Sequence, residues 1–375
     1  MSSGVFSAKL FDMKRGLIFG LVLLHLFCTS VFLVSAGETD EKSGPMQIRA
    51  KILSIKNTAE TGETWAYEFS ARTSSGQTVE VNTADSFPDG LYFSLKKGDS
   101  VFLRSVEEGE SEPQIYFEDK IRTPALIWIM VFFAIVTVAV ASLRGVWSLL
   151  GIGFTLLVLF GFLFPQILAG EDPIFYTLIA SLFILAVNIH LSHGFKKRTF
   201  FAFLGTVIGL MLVWFLSVLF THGSSLSGLG SEEVTLLLWD LKQIQDPVSL
   251  FIAGVILGAV GVLDDVVVAQ AELVEELQAS SPLLSRKELY TRAMRVGRHH
   301  IASAVNTLVL VYAGAALPLM LLFFSSSDDA FLFLNNEGVA QEAVRILAGT
   351  TALILTVPLA TLFATIPVAK PSKKD

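Results

Sequence analysis

Seven stretches of roughly twenty apolar residues follow one another beyond Pro124, and this recurrence limits the fold more than any other feature. They lie at about 124–143, 146–169, 173–192, 200–221, 248–269, 301–324 and 343–367. A helix rises about 1.5 Å per residue, so each run matches the roughly 30 Å hydrocarbon core of a bilayer. The 375-residue chain is only 16% charged, with a mean hydropathy of +0.63. Soluble domains carry about 25% charged residues, so a large water-soluble core is excluded. The sequence predicts a polytopic α-helical membrane protein whose principal partner is the lipid bilayer.

A further apolar run, Gly16 to Val34, follows Lys9, Lys14 and Arg15 and precedes Ser35-Ala36-Gly37. It reads as a secretory signal or as a retained first span, and in either case the next segment is exported. With the span retained, the total is about eight transmembrane helices. Cys28 is the single cysteine, which excludes an intramolecular disulfide and a cysteine-based zinc site.

Residues 37–122 read as a small all-β domain. Trp65, Tyr67 and Phe69 alternate with polar or small residues, the pattern of a half-buried strand. Turns at Ser75-Gly76 and Gly98-Asp99 separate strands over Met46–Ile55, around Val79 and Val81, around Val101 and Leu103, and over Gln114–Phe117. Five short strands suit an OB-like barrel. Its acids, among them Glu107, Glu108, Glu110 and Glu112, argue against nucleic acid as a partner.

The predicted organisation is therefore an N-terminal segment (1–36), an extracytoplasmic β domain (37–122), a seven-helix transmembrane domain (123–369) and a tail (370–375). Arg144, Lys196-Lys197-Arg198, Arg286, Lys287, Arg292, Arg295, Arg298, Lys370, Lys373 and Lys374 fall on one side of the spans. The opposite loops carry Glu171, Asp172, Glu232, Glu233, Asp328, Asp329 and Glu337, with Lys242 as their one basic residue. The positive-inside rule then puts both termini in the cytoplasm and the β domain outside. The helix-forming piece Val234–Leu241, with Trp239, is too short to cross and is expected at the outer interface.

The chemistry is concentrated between Pro247 and Phe324. The adjacent acids Asp264 and Asp265 end an apolar segment, where a charge costs roughly 2.5–3.5 kcal/mol at mid-membrane on insertion scales. Gly254, Gly258, Gly261 and Asp265 share one helical face, and Gly254-x-x-x-Gly258 permits close approach of a neighbour. Counting along the helices brings Asn188, His190, Asn306 and Thr307 to the depth of the acids, with His300 at the cytoplasmic edge. The expectation is a polar vestibule open to the cytoplasm. The plainer readings are helix packing for the glycines, snorkelling for Asp264 and Arg345, interhelical hydrogen bonding for Asn306 and headgroup contact for His299 and His300. No nucleotide, zincin or other metal motif is present, and neither a cofactor nor an enzymatic activity is expected.

Gly261-Val-Leu-Asp-Asp265, Gly297-Arg-His-His-Ile301, Val305-Asn-Thr-Leu308 and Ala313-Gly-Ala-Ala-Leu-Pro318 resemble the YibE/F-like family of bacterial multi-pass membrane proteins. Phe117-Glu-Asp-Lys-Ile-Arg122 fits as well. The resemblance implies the architecture above. Members carry an acid where His299 stands, which weakens any role for His299 and leaves His300 intact. Members are described only as membrane proteins or permeases. The expected function is a secondary transporter that moves an ion or small polar solute, driven by an ion gradient. The alternative is a non-catalytic envelope module whose exported barrel binds a partner and whose helices anchor it. An intramembrane aspartyl protease is disfavoured, because adjacent acids on one helix diverge by about 100°.

Overall fold

The computed structural model describes residues 46–61, 64–106, 113–194, 197–240, 246–326 and 329–366. The N-terminal segment 1–36, the acidic run 107–112, Lys242, Asp328 and the tail lie outside the described residues. The chain divides into two compact units, Glu38–Val140 and one containing Ala141–Asp375.

The first unit is built on five antiparallel strands: β1 (Met46–Thr61), β2 (Thr64–Thr73), β3 (Thr78–Asn82), β4 (Ser100–Val106) and β5 (Gln114–Lys120), in the sheet order β3-β2-β1-β4-β5. Strand β1 pairs with β4 through its first half and with β2 through its second. Register shifts at Ile52/Ser54 and Ile55/Asn57 bend it between the two partners. The bend curls the sheet: Phe69 of β2 and Phe117 of β5, with two strands between them in the order, meet edge to face with ring centroids 6.2 Å apart. Together with Ile52, Ala71, Val101 and Leu103 these rings form the core of a half-barrel whose edges are β3 and β5. Gly76, at φ +88°, makes the β2–β3 turn, a conformation that costs glycine little.

Helix α1 (Thr123–Val158) follows the sheet and passes through a π turn, Leu159–Leu163, into α2 (Phe164–Leu168). Ser142, at φ 56° and ψ −137°, breaks α1 where the sequence separates its first two expected spans. The remaining helices are α3 (Pro173–His193), α4 (Lys197–Gly223), α5 (Glu232–Asp240), α6 (Pro247–Ser280), α7 (Arg286–Ala315), α8 (Leu317–Ser326), α9 (Ala330–Asn335) and α10 (Glu337–Ala364). Among the described residues five helices are long and apolar enough to cross a bilayer, or six if the bent α7–α8 pair is one span.

That bend, 68°, corrects the expectation of one straight helix over 301–324. Pro318 has no N–H to donate, and its ring crowds the carbonyl four residues back, so the helix cannot continue straight.

Helix α6 is the centre of the second unit and touches α3, α4, α7 and α10. Its inward face carries Ile252, Ile256, Val260, Leu263, Val267 and Val274. Several acids of the expected outer loops turn out to cap helices. Asp172 accepts from the Phe175 N–H at the start of α3, and Asp246 from Ser249 at the start of α6. Each satisfies a backbone donor that the first helical turn leaves free. Glu337 accepts from the Ser227 N–H at 2.8 Å and from the Gln341 amide at 3.2 Å, tying the α4–α5 loop to the start of α10.

The closest helix contact is not at Gly254 and Gly258. It lies between α4 and α10, where Gly205 faces the Ala360 backbone and Gly209 faces Thr356. A Cβ on Gly205 would stand 3.2 Å from Ala360 Cα, and one on Gly209 would stand 2.7 Å from Thr356 Cγ2. Gly205-x-x-x-Gly209 is the small-residue spacing that lets two helices approach backbone to backbone. On α6, Gly254 and Gly258 instead make room for side chains, Arg345 and Tyr312. Arg345 is held by Glu342 at 3.3 Å and lies 5.2 Å from the centre of the Phe251 ring, so it is packed against α6.

Candidate functional site

Asp264 stands about 26 Å along α6 from Pro247, and Asn188 about 22 Å along α3 from Pro173. Both line a cleft of about 390 Å³ with Ser148, Gly151 and Thr155 of α1 and Asp265 and Glu272 of α6. No lysine, arginine or histidine is among its lining residues. Three carboxylates, an amide and two hydroxyls therefore face a volume that has no basic side chain among the described residues.

The amide is held in one orientation. Thr155 Oγ1 donates to the Gly151 carbonyl at 3.0 Å, so it can only accept from Asn188, and the Asn188 Nδ2 group donates to it at 3.3 Å. This points Nδ2 at Thr155 and leaves Oδ1 as the free acceptor. Gly151 is needed for this placement, since a Cβ there would come within 3.0 Å of Asn188 Oδ1. Asn188 Oδ1 and Asp264 Oδ1 are both buried and accept no hydrogen bond. Two acceptor oxygens without donors in one cleft suit a ligand that brings positive charge or protons.

The two acids exchange the roles expected of them. Successive residues on a helix diverge by about 100°. The buried face of α6 is centred on Leu263, which places Asp264 at its edge and Asp265 on the far side. Asp264 is accordingly half-buried and Asp265 exposed at the rim, on the stripe of Gly258 and Gly261. The carboxylate aimed into the protein is that of Asp264.

The expected convergence of three helices is corrected in part. Asn188 joins the acids, whereas Asn306, Thr307 and His300 on α7 are exposed and do not line the cleft. Thr307 donates back to the Ser303 carbonyl at 3.0 Å. His190 bonds the Ala186 carbonyl through Nδ1 at 2.8 Å and packs edge-on to Phe203. Depth along each helix is given by counting, but the face is not, and α7 turns these residues away from α6.

What α7 does present to α6 is Gly297. A Cβ there would stand 3.0 Å from Gln270 Nε2 and 3.2 Å from a Val357 methyl of α10. Gln270 is fully buried; its Oε1 accepts from Thr361 at 3.1 Å and its Nε2 has no partner. The glycine of the Gly-Arg-His-His stretch therefore serves helix packing around a buried amide. Sequence reasoning overlooked Gln270, Thr155 and Gly151. The turn spacing of Gly151 and Thr155 was a legible signal, while Gln270 looked like an ordinary residue near a helix end.

The chain combines helices long and apolar enough to cross a bilayer, lining a carboxylate-and-amide cleft, with a separate β half-barrel unit. The chain belongs to the YibE/F-like family, whose model, described as YibE/F-like protein, matches residues 129–370. The match takes in every residue of the cleft. Comparison with curated proteins and with solved structures gave no match.

Proposed function

We propose that this protein is a secondary transporter of the bacterial cytoplasmic membrane that moves an ion or small polar solute through the Asp264 cleft. In this reading the chain crosses the membrane about eight times with both termini in the cytoplasm. The cleft opens on that side and the half-barrel, OB-like in strand order, stands outside. The observation that carries the reading is the pair of buried oxygens, Asp264 Oδ1 and Asn188 Oδ1, which among the described residues have no donor and share a cleft with no basic side chain. A carboxylate so placed in a membrane helix is costly unless it serves an ion or a proton.

The test compares a deletion strain complemented with wild type or with Asp264→Asn. Growth and cell metal content are followed across sodium, potassium, magnesium and pH. Loss of a solute-dependent phenotype in Asp264→Asn, with the protein inserted at normal levels, is the expected result. Full complementation by Asp264→Asn under every condition rejects the reading.

One observation favours the envelope-module alternative. A second cleft of about 320 Å³ lies in the half-barrel among Ser86, Phe87, Arg104, Tyr116, Phe117 and Glu118. Ser86 Oγ and Glu118 Oε2 are buried there without hydrogen-bond partners. If this cleft is the working part, deletion of residues 38–122 abolishes function while the helices still insert.

A further inference from the structure

Buried hydroxyls on the helices of the second unit usually return a hydrogen bond to their own backbone. Thr206 bonds the Ala202 carbonyl at 3.1 Å, Ser217 that of Val213 at 2.7 Å, and Thr356 that of Ala352 at 2.7 Å. Thr177 and Ser181 of α3 break the habit. They are 1% and 0% exposed, and neither hydroxyl has a partner among the described residues; Thr221 near the end of α4 is a third such hydroxyl. Both have polar oxygens that membrane helices ordinarily satisfy locally or across an interface.

Their positions are not scattered. At about 100° per residue, Ser181 lies about 40° and Asn188 about 20° around α3 from Thr177, so the three share one face. They stand about 6, 12 and 22 Å from the start of the helix. The stripe begins near one end of α3 and finishes at the Asp264 cleft. Ile184 stands on the same face between Ser181 and Asn188, and both hydroxyls are buried, so the stripe is closed in this conformation. A line of unpartnered oxygens running through an apolar core costs stability and gives nothing to packing.

We propose that the face of α3 bearing Thr177, Ser181 and Asn188 is the continuation of the transport path beyond the Asp264 cleft, and that its cargo is a monovalent alkali cation. The inference rests on the transport reading above. The oxygens are hydroxyl, amide and carboxylate, the hard donors that replace water around such ions. Among the described residues the cleft has no basic group for an anion. Asp264 alone reaches the buried part, which matches a single positive charge. The hydroxyls are about 6 Å apart along the helix, too far to hand a proton directly from one to the next.

The experiment uses the full-length protein reconstituted in liposomes, with sodium and potassium fluxes measured under imposed gradients. Ser181→Ala and Thr177→Val remove hydroxyls with little change of shape; Ser217→Ala removes a buried hydroxyl off the stripe. Flux is expected to fall at least tenfold in the first two, without loss of thermal stability, and to persist in Ser217→Ala. In detergent, sodium or potassium chloride is expected to raise the unfolding temperature of the wild type above its value in choline chloride. Asp264→Asn and Asn188→Ala are expected to lose that rise. Wild-type flux in both stripe variants overturns the path while leaving the transport reading in place. Cation stabilisation with no flux in the wild type overturns the path and the transport reading together, and proton flux without alkali flux overturns the cargo.

Discussion

Asn188 of α3 and Thr155 of α1 are joined by a single 3.3 Å hydrogen bond, and its direction decides which end of the amide faces Asp264. Because Thr155 spends its own proton on Gly151, the amide must donate to it and keep its oxygen for the cleft. Thr155→Val removes that constraint together with the Thr155 hydroxyl at the cleft wall. A hydrogen bond of this kind contributes about 1 kcal/mol. Thr155→Val is therefore expected to weaken alkali-cation stabilisation about fivefold, and Asn188→Ala more. Isothermal titration of the purified protein with sodium chloride measures both, and equal affinity in Thr155→Val and wild type would show that the amide orientation is set elsewhere.

Gly209 is the tightest point of the α4–α10 contact. Alanine there meets Thr356, and overpacking of a core contact costs about 1–3 kcal/mol. Gly153, which has nothing within 4 Å of its would-be Cβ, is the matched control. Gly209→Ala is expected to lower the unfolding temperature in detergent, and Gly153→Ala to leave it unchanged or raise it slightly through helix propensity.

Gln270 keeps a buried amide N–H without an acceptor, while Thr361 also donates to its own Val357 carbonyl. Replacing the amide by an apolar side chain of similar volume removes an unsatisfied donor and leaves Thr361 bonded. Gln270→Met is expected to stabilise the protein by up to about 1–2 kcal/mol, whereas Gly297→Ala, pressed on the same amide, is expected to destabilise it. Thermal unfolding of the two variants checks the pair, and a destabilised Gln270→Met would show that the amide has a partner in the working state.

Acid sensitivity is expected in the half-barrel. Partial burial pushes the Asp99 carboxyl up, but three lowering effects outweigh it: the Lys120 ammonium bonded at 2.6 Å, the Lys96 N–H at 2.8 Å and the charges of both lysines. The group sits below its ordinary value of 3.8 in the folded state. Asp119, held by Arg122, is shifted the same way. A depressed carboxylate stabilises the fold above its unfolded value and loses that contribution as pH falls through the folded one. The protection factors of β4 and β5 amides, which divide out the intrinsic pH dependence of exchange, are therefore expected to be steady above about pH 4 and to fall below it, with a smaller acid response in Asp99→Asn.

The half-barrel was legible strand by strand because alternation of apolar side chains and glycine turns are local signals. Its curl was not, since it depends on where the long β1 bends between two partners. The helices were legible from their apolar length, and the Ser142 break falls where two runs meet. The bend at Pro318 was legible in principle from the proline itself. For the cleft, Asp264 and Asn188 stood out as polar residues at matching depth, while Thr155 and Gly151 acquire meaning only beside Asn188.

By itself the sequence determined that the chain forms long apolar helices behind a small β domain, and at what depth each polar residue lies. Composition and a fixed rise per residue are enough for that. The tertiary structure alone decided which faces meet: Asp264 inward and Asp265 outward, Asn306 and Thr307 turned from the site, Gly205 and Gly209 at the close contact. The physical reason is that a neighbouring helix sees only one side of its partner. Which side it sees is set by packing across the whole interface, a property that no short stretch of sequence holds.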